Sequence, residues 1–244
     1  GSSFFKSYPS TFMPINDPSA DANYVLDVDD EIQIQMFGGV EDNLRLKIKR
    51  NGDIDLPKVG PITLAGLPIG DAKKVVQEKV KEYFIDTDVI VSLSEVRDIK
   101  ILVTGEVNFP GVYTLSGYSS VLHAIGSAGG IKESGSFRKV VVKRNGKIID
   151  QIDLYKIFID ADTSDIKSLR SGDSILVEPT SKTIRVVGAV NRPAIFEYID
   201  GEKAEDLIRF AGGFSIKSQD NLFFISRKSG SGFELLSSKS VSNT

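Results

Sequence analysis

The sequence predicts an α+β protein: a small domain of mixed sheet plus helix, followed by two tandem β-grasp domains in an elongated, multi-domain arrangement. The first observation behind this is an internal repeat. Residues 101–131 (ILVTGEVNFPGVYTLSGYSSVLHAIGSAGGI) and 185–214 (RVVGAVNRPAIFEYIDGEKAEDLIRFAGGF) match without insertion at an offset of 83 residues, as from Gly105 to Gly188. Val103/Val186, Val107/Val190, Asn108/Asn191, Pro110/Pro193 and the closing Ala128-Gly129-Gly130/Ala211-Gly212-Gly213 are identical. A period this long exceeds a solenoid unit and has the size of a small domain. The second observation is the order inside each copy, two strands, a helix and then further strands, which is the β-grasp order. The third is that the residues before the repeat carry strands and a helix of their own.

Taken in order, Gly1-Ser2-Ser3 reads as a cloning scar, and residues 4–23, with three prolines and no helical period, read as an extended arm, against the alternative of a partly disordered tail. Residues 24–97 form the first predicted domain. Ile32, Ile34 and Met36 alternate with polar neighbours, as do Leu44, Leu46 and Ile48, so each run predicts a half-buried strand. Asn51-Gly52 then predicts a hairpin into Ile54 and Leu56, because tight hairpin turns demand positive φ. Asp71 is placed to cap a helix whose apolar face is Val75, Val76, Val80, Tyr83 and Phe84. Residues 88–93 (DVIVSL) read as a buried strand.

The first repeat, residues 98–181, predicts strands over 101–107 and 112–115, joined by a turn at Asn108-Phe109-Pro110-Gly111. A helix from about Ser120 follows, stopped by Gly129-Gly130, since the residue after a helix often takes the left-handed conformation. Val140 to Arg144, an Asn145-Gly146 hairpin, Ile148 to Leu154 and a closing strand Ser174 to Glu178 complete it. The second repeat, residues 182–244, copies this through Phe223 to Ile225. It has no equivalent of the closing strand, so a cut-short module or closure by another segment is expected.

Composition is that of an ordinary folded protein, 41% hydrophobic and 26% charged. Basic and acidic residues (30 and 33, net charge −3) are well mixed, which argues against a nucleic-acid partner. With no cysteine, disulfides, thiolate metal sites and a cysteine nucleophile are excluded. No apolar run approaches the roughly 20 residues that span a bilayer.

Little here points to chemistry. His123, the sole histidine, stands opposite the apolar side of its helix with no positioned partner, which predicts a solvated surface residue rather than a general base. Gly129-Gly130 ends a helix instead of opening one, so it is no phosphate loop. Residues 26–34 and 169–177 echo each other as a turn with an acidic residue feeding a strand. Asp30 and Asp173 are therefore read as acceptors of backbone N–H bonds in those turns, against the alternative of ligands. Lys49-Arg50 and Lys143-Arg144 read as solvated hairpin tips. No catalytic residue, cofactor or metal site is predicted. Loop tips on a rigid scaffold are where binding residues gather. Asn108, Phe109, Asn191 and Arg192, with Tyr118, are thus the candidate glycan or subunit contacts, Phe109 offering a stacking face and Arg192 a planar donor. A plain connecting turn is the competing reading.

These residues carry a family resemblance. Tyr24 to Asp30 (YVLDVDD) before an alternating strand, Arg50 to Pro57 (RNGDIDLP), Val59-Gly60 and Ala65-Gly66-Leu67 resemble the polysaccharide export domain of Gram-negative capsule and exopolysaccharide secretion proteins. The two copies with Gly-x-Val-x-x-Pro and a closing Ala-Gly-Gly are similar to soluble-ligand-binding β-grasp (SLBB) domains. Ser134 to Arg138, Asp153 to Tyr155 and Arg192 to Phe196 resemble the longer, KpsD-like branch more than the compact Wza type. One departure is Asp29, where the family usually has glycine; Asp tolerates the left-handed region.

The resemblance implies a non-enzymatic part of a ring-shaped translocon in the periplasm, associated with the outer membrane through segments absent here. It also implies homo-oligomers of the full-length protein, weak and transient contact with polysaccharide, and an inner-membrane polysaccharide co-polymerase or export transporter as partner. A soluble glycan- or ligand-binding module without a channel role is the alternative, and an enzyme acting on polysaccharide the third possibility.

Overall fold

The computed structural model describes residues 24–164 and 166–215 in full and the backbone of 222–229 and 232–240. The expected arm, residues 1–23, lies outside the described residues. Described elements form three successive apolar cores, each the product of strand alternation.

In the first, β1 (Glu31–Gly38) lies between β2 (Asp42–Lys47) and β5 (Thr87–Glu95), antiparallel to both. Helix α1 (Ile69–Tyr83) packs on this sheet. Ile32, Ile34, Val89, Val91 and Leu93 point into one core with Ala72, Val76 and Val80. Burying each larger side chain of this kind contributes about 1.5–3 kcal/mol relative to exposure. Three expectations need correcting here. Tyr83 is 56% exposed, because the buried helix stripe is Ile69, Ala72, Val76 and Val80, one step around from the predicted face. Asp71 does not cap: the helix starts at Ile69 after Pro68, and Asp71 sits in the first turn, where its charge complements the exposed N–H groups. Strand β5 is also not fully buried, since Ile90 is 52% exposed.

The expected hairpin at Asn51-Gly52 forms differently. Strand β3 (Asp53–Leu56) pairs with β4 (Gly60–Thr63) in a separate two-stranded sheet, and β2 pairs with β1. At the corner, the Gly52 amide donates to the Lys49 carbonyl at 2.8 Å, and the Lys49 amide to Asp53 at 2.8 Å. Gly52 has positive φ while Asn51 does not, so this is a type I turn closed by a left-handed glycine. At Asn145-Gly146 both φ values are positive (50° and 76°), the two-residue type I′ turn.

The second core belongs to a five-stranded sheet ordered β7-β6-β10-β8-β9. Its strands are β6 (Asp98–Gly105), β7 (Gly111–Ser116), β8 (Gly135–Arg144), β9 (Lys147–Ile152) and β10 (Ser174–Pro179). The closing strand β10 runs parallel to β6 and antiparallel to β8, the β-grasp arrangement. Helix α2 (Val121–Ser127) covers it through Val121, Ala124 and Ile125. Gly105 takes φ +84°, and a Cβ there would stand 2.1 Å from the Val177 carbonyl oxygen, so this close strand crossing requires glycine.

A helix not anticipated from sequence, α3 (Leu154–Asp160), follows β9. Leu154, Ile157 and Phe158 pack into the second core, while Tyr155 and Ile159 pack against the third. The third core lies under the sheet β12-β11-β13-β14, with β11 (Thr183–Gly188), β12 (Ala194–Glu197), β13 (Leu222–Ser229) and β14 (Gly232–Ser240). Helix α4 (Ala204–Phe210) supplies Leu207 and Phe210. In this module β13 pairs directly with β11, in the position that β10 holds beside β6.

Candidate functional site

The two repeated turns are built alike, and their asparagines are spent on the fold. The Asn108 side-chain amide donates to the Gly129 carbonyl at 2.6 Å, and its backbone N–H to Gly130 at 3.0 Å. Asn191 repeats this on Gly212 (2.7 Å) and Gly213 (3.0 Å). Each turn is thereby fastened to the carbonyls left open past the helix end, which accounts physically for the pairing of Asn with Ala-Gly-Gly in both copies.

Phe109 lies across Gly129, where an added Cβ would stand 2.6 Å from its ring, yet the residue remains 67% exposed. Arg192 lies across Gly212 in the same way and donates from Nη2 to the Phe210 carbonyl at 3.3 Å. Of the four turn candidates, Phe109 and Arg192 present exposed side chains free enough to meet a ligand or a second subunit.

Tyr118 is elsewhere. Its ring centroid is 4.7 Å from that of Tyr24, at the seam between the first domain and the first β-grasp module. At this seam Asp30, wholly buried, receives the Tyr24 hydroxyl at 2.9 Å, the Arg97 backbone N–H at 2.9 Å and the Arg97 Nη1 at 2.6 Å. Burial pushes the Asp30 carboxyl up, against the pull of these donors and of the Asp27 N–H. Burial, with the Asp30 charge, raises the Tyr24 hydroxyl as well, so it stays a donor.

Asp173 repeats the device. It accepts the Arg170 N–H at 2.7 Å, as Asp30 accepts that of Asp27 at 2.8 Å, and it holds Arg144 in a fork at 2.7 and 2.8 Å. The echo between 26–34 and 169–177 is thus structural, as read from the turn chemistry. Arg144 corrects another expectation: it is not a solvated tip, because the buried Asp173 carboxylate would otherwise lack its counter-charge.

A second seam joins the two β-grasp modules, and sequence reading did not find it. Arg138, 7% exposed, grips Asp153 from Nε (3.0 Å) and Nη2 (2.8 Å), and reaches Glu202 of the following module at 2.6 Å. Its guanidinium lies over the rings of Tyr155 and Phe210, 4.9 and 5.1 Å from the centroids. Glu197 takes the Ser136 hydroxyl and the Phe137 N–H, each at 2.5 Å, and gives its own N–H to the Tyr155 oxygen at 3.0 Å. Burial pushes the Tyr155 hydroxyl up to about 12 and raises Glu197 above the usual glutamate range. An arginine inside an alternating strand was the available signal, since a charge on an inward position demands partners.

His123 is also corrected: it is half-buried, and its Nδ1 accepts the Ser120 N–H at 3.0 Å, closing a capping box on α2. Asp206, its counterpart in the repeat, accepts the Lys203 N–H at 3.0 Å in the same way. Burial lowers the His123 pKa, which fits an acceptor nitrogen.

The architecture defines a class: an α+β chain with one distinct domain leading two coupled β-grasp modules. Residues 18–94 match the family described as polysaccharide biosynthesis/export protein, and residues 100–150 and 183–233 match the SLBB domain. The chain belongs to the polysaccharide export family, with tandem SLBB domains behind its export domain. It is 33% identical over 178 residues to the polysialic acid transport protein KpsD of Escherichia coli, covering 72% of this chain and 32% of that one. It is 29% identical over 202 residues to the EPS I polysaccharide export outer membrane protein EpsA of Ralstonia solanacearum, covering 80% of this chain and 53% of the relative. The chain thus spans between a third and about half of these relatives.

Proposed function

We propose that this chain is a non-catalytic part of a polysaccharide export translocon, forming part of the wall of a ring-shaped conduit in the periplasm and at the outer membrane of a Gram-negative bacterium. The observation that carries the reading is the family match combined with the two bonded seams. A wall needs modules held at fixed angles: buried Arg138 reaches Glu202 of the following module, and at the first seam the Gly117 N–H donates to the Arg97 carbonyl beside the Tyr24–Tyr118 ring contact. Divisions near residues 97/98 and 181/182 belong to this reading, and the three separate apolar cores support them. The full-length protein would form homo-oligomers by head-to-tail contacts and work with an inner-membrane co-polymerase or export transporter. Contact with the glycan would be weak, since tight sites stall conduction. Among the described residues no helix is long and apolar enough to cross a membrane. The test is deletion of the gene together with electron microscopy of the full-length protein in membranes. Unchanged surface polysaccharide and a monomeric protein would sink the reading.

The exposed ring of Phe109 supports a second reading, a glycan-gripping module. Saturable glycan binding abolished by Phe109→Ala with Arg192→Ala would favour it over a passive wall.

A further inference from the structure

Between the export domain and the first β-grasp module lies a cavity of about 390 Å³. Small-ligand sites run from about 300 to 1,000 Å³, so it suits one or two sugar units. Its inner wall is apolar, formed by Val121, Val142, Ile152 and Leu169, all buried, and Tyr118, which stacks on Tyr24, also lines it. The rim is charged the other way from the chain as a whole. Arg144, Lys167 and Arg170 line it against Asp150, with buried Arg97 and Asp173 behind them, whereas the chain carries a net −3.

These cations are not equally committed. Arg97 is held by Asp30 and Tyr24, and Lys167 stands 3.4 Å from Asp150. Arg144 gives Nε and Nη2 to Asp173, which leaves Nη1 without a bond among the described residues. The exposed Arg170 side chain has no ion-pair partner among the described residues, and its backbone N–H is pinned by Asp173, which fixes where that side chain leaves the turn. An apolar wall and an aromatic side chain that line the same cavity as an uncommitted guanidinium suit a molecule with one hydrophobic face and one carboxylate.

We infer that this cleft binds an acidic sugar residue, its ring against Tyr118 and the apolar wall and its carboxylate at Arg170 and Arg144 Nη1. Choosing a sugar among amphipathic anions of this size rests on the export reading; the preference for a carboxylate rests on the cleft alone. The site is distinct from the two repeated turns. It would give an export component a way to sense or orient the charged units of a polymer.

The test is calorimetric or saturation-transfer titration of the whole chain with methyl β-D-glucuronoside and with methyl β-D-glucoside, which differ only in the carboxylate. The glucuronoside should bind and the glucoside at least about tenfold more weakly, as expected for loss of a charge-assisted bond. Arg170→Gln should remove that preference, and Tyr118→Leu should weaken both glycosides. Arg170 is exposed, so its variant folds, which near-ultraviolet circular dichroism checks. A glucuronate-containing tetrasaccharide separates the sources of ligand: monomer binding alone marks a free sugar, and binding of both marks a residue within a chain. Either result supports the site. Equal affinity for the two glycosides, no binding of either up to about 10 mM, or an unchanged preference in Arg170→Gln overturns it. Loss of surface polysaccharide on gene deletion without glucuronoside binding would refute the cleft and leave the export reading standing; the reverse pattern would do the opposite.

Discussion

Replacing Arg138 by alanine should uncouple the two β-grasp modules. The guanidinium is 7% exposed and meets Asp153 and Glu202, whose side chains are 18% and 16% exposed. Its removal leaves those two carboxylates beside Glu197 in one poorly hydrated cluster. Breaking one side of a buried pair costs about 3–5 kcal/mol. Residual water access to both partners puts the expected loss near the lower end, about 3 kcal/mol, to which the lost contact with Tyr155 and Phe210 adds about 0.5–1 kcal/mol. At about 1.4 kcal/mol per factor of ten, local opening of the seam becomes about a hundredfold more frequent or more. Amide hydrogen exchange reads this directly. The Phe137 and Glu197 amides, which donate across the seam, should lose about two orders of magnitude of protection. Amides of β6 should keep theirs. Arg138→Lys, which keeps the charge without the fork, should lose an intermediate amount. If both seam amides keep their protection within about threefold in a folded Arg138→Ala protein, the argument that charge pairing holds the modules together is wrong.

Other perturbations separate the two copies of the repeat. Gly129→Ala and Gly212→Ala both force a side chain into positive φ, at about 1–2 kcal/mol. The Gly129 variant should cost clearly more in urea denaturation, because its Cβ meets the Phe109 ring at 2.6 Å, whereas Gly212 meets the flexible Arg192 side chain at 3.1 Å; equal costs would contradict this. His123, whose folded pKa is depressed below the ordinary 6.5, contributes stability that is present above that value and is lost as pH falls through it. His123→Asp, borrowing the cap used by Asp206, should remove this slope from melting temperatures measured between about pH 5 and 7. Asp30→Asn should destabilise more than Asp173→Asn, since the Arg97 side chain left behind is 7% exposed and that of Arg144 is 30% exposed. Thermal unfolding of the two variants would reveal an inverted order.

Much of the architecture was legible because it rests on local chemistry. Alternation placed β1, and the Ala-Gly-Gly motif placed the ends of α2 and α4. The acidic turns were rightly read as backbone-bonding devices, since Asp30 and Asp173 act on N–H groups three residues away. What sequence could not supply was long-range. Arg97 and Asp30 are 67 residues apart, and Arg138 meets Glu202 from another module. Helix α3 was missed for a related reason: its apolar residues serve two cores on opposite faces, so no single stripe stands out. Asn51-Gly52 and Asn145-Gly146 look identical in sequence and take different turns, because the strands around the first belong to different sheets. The candidate contacts were only partly legible, since the sequence does not show that both asparagines are already used by the fold.

The parallel pairing of β6 and β10 has a mechanical consequence. The chain enters this module at the start of β6, with two residues between it and the end of β5 at Glu95, and leaves from the end of β10, with β11 beginning at Thr183. Because the two strands run the same way and lie side by side, tension along the chain pulls them past each other instead of peeling them apart. All four register pairs from Ser174/Leu102 to Val177/Gly105 then carry the load together, and β10 is clamped by β8 on its other side. Forced extension should therefore spare this module until its neighbours have yielded, making it the stiff link of the chain.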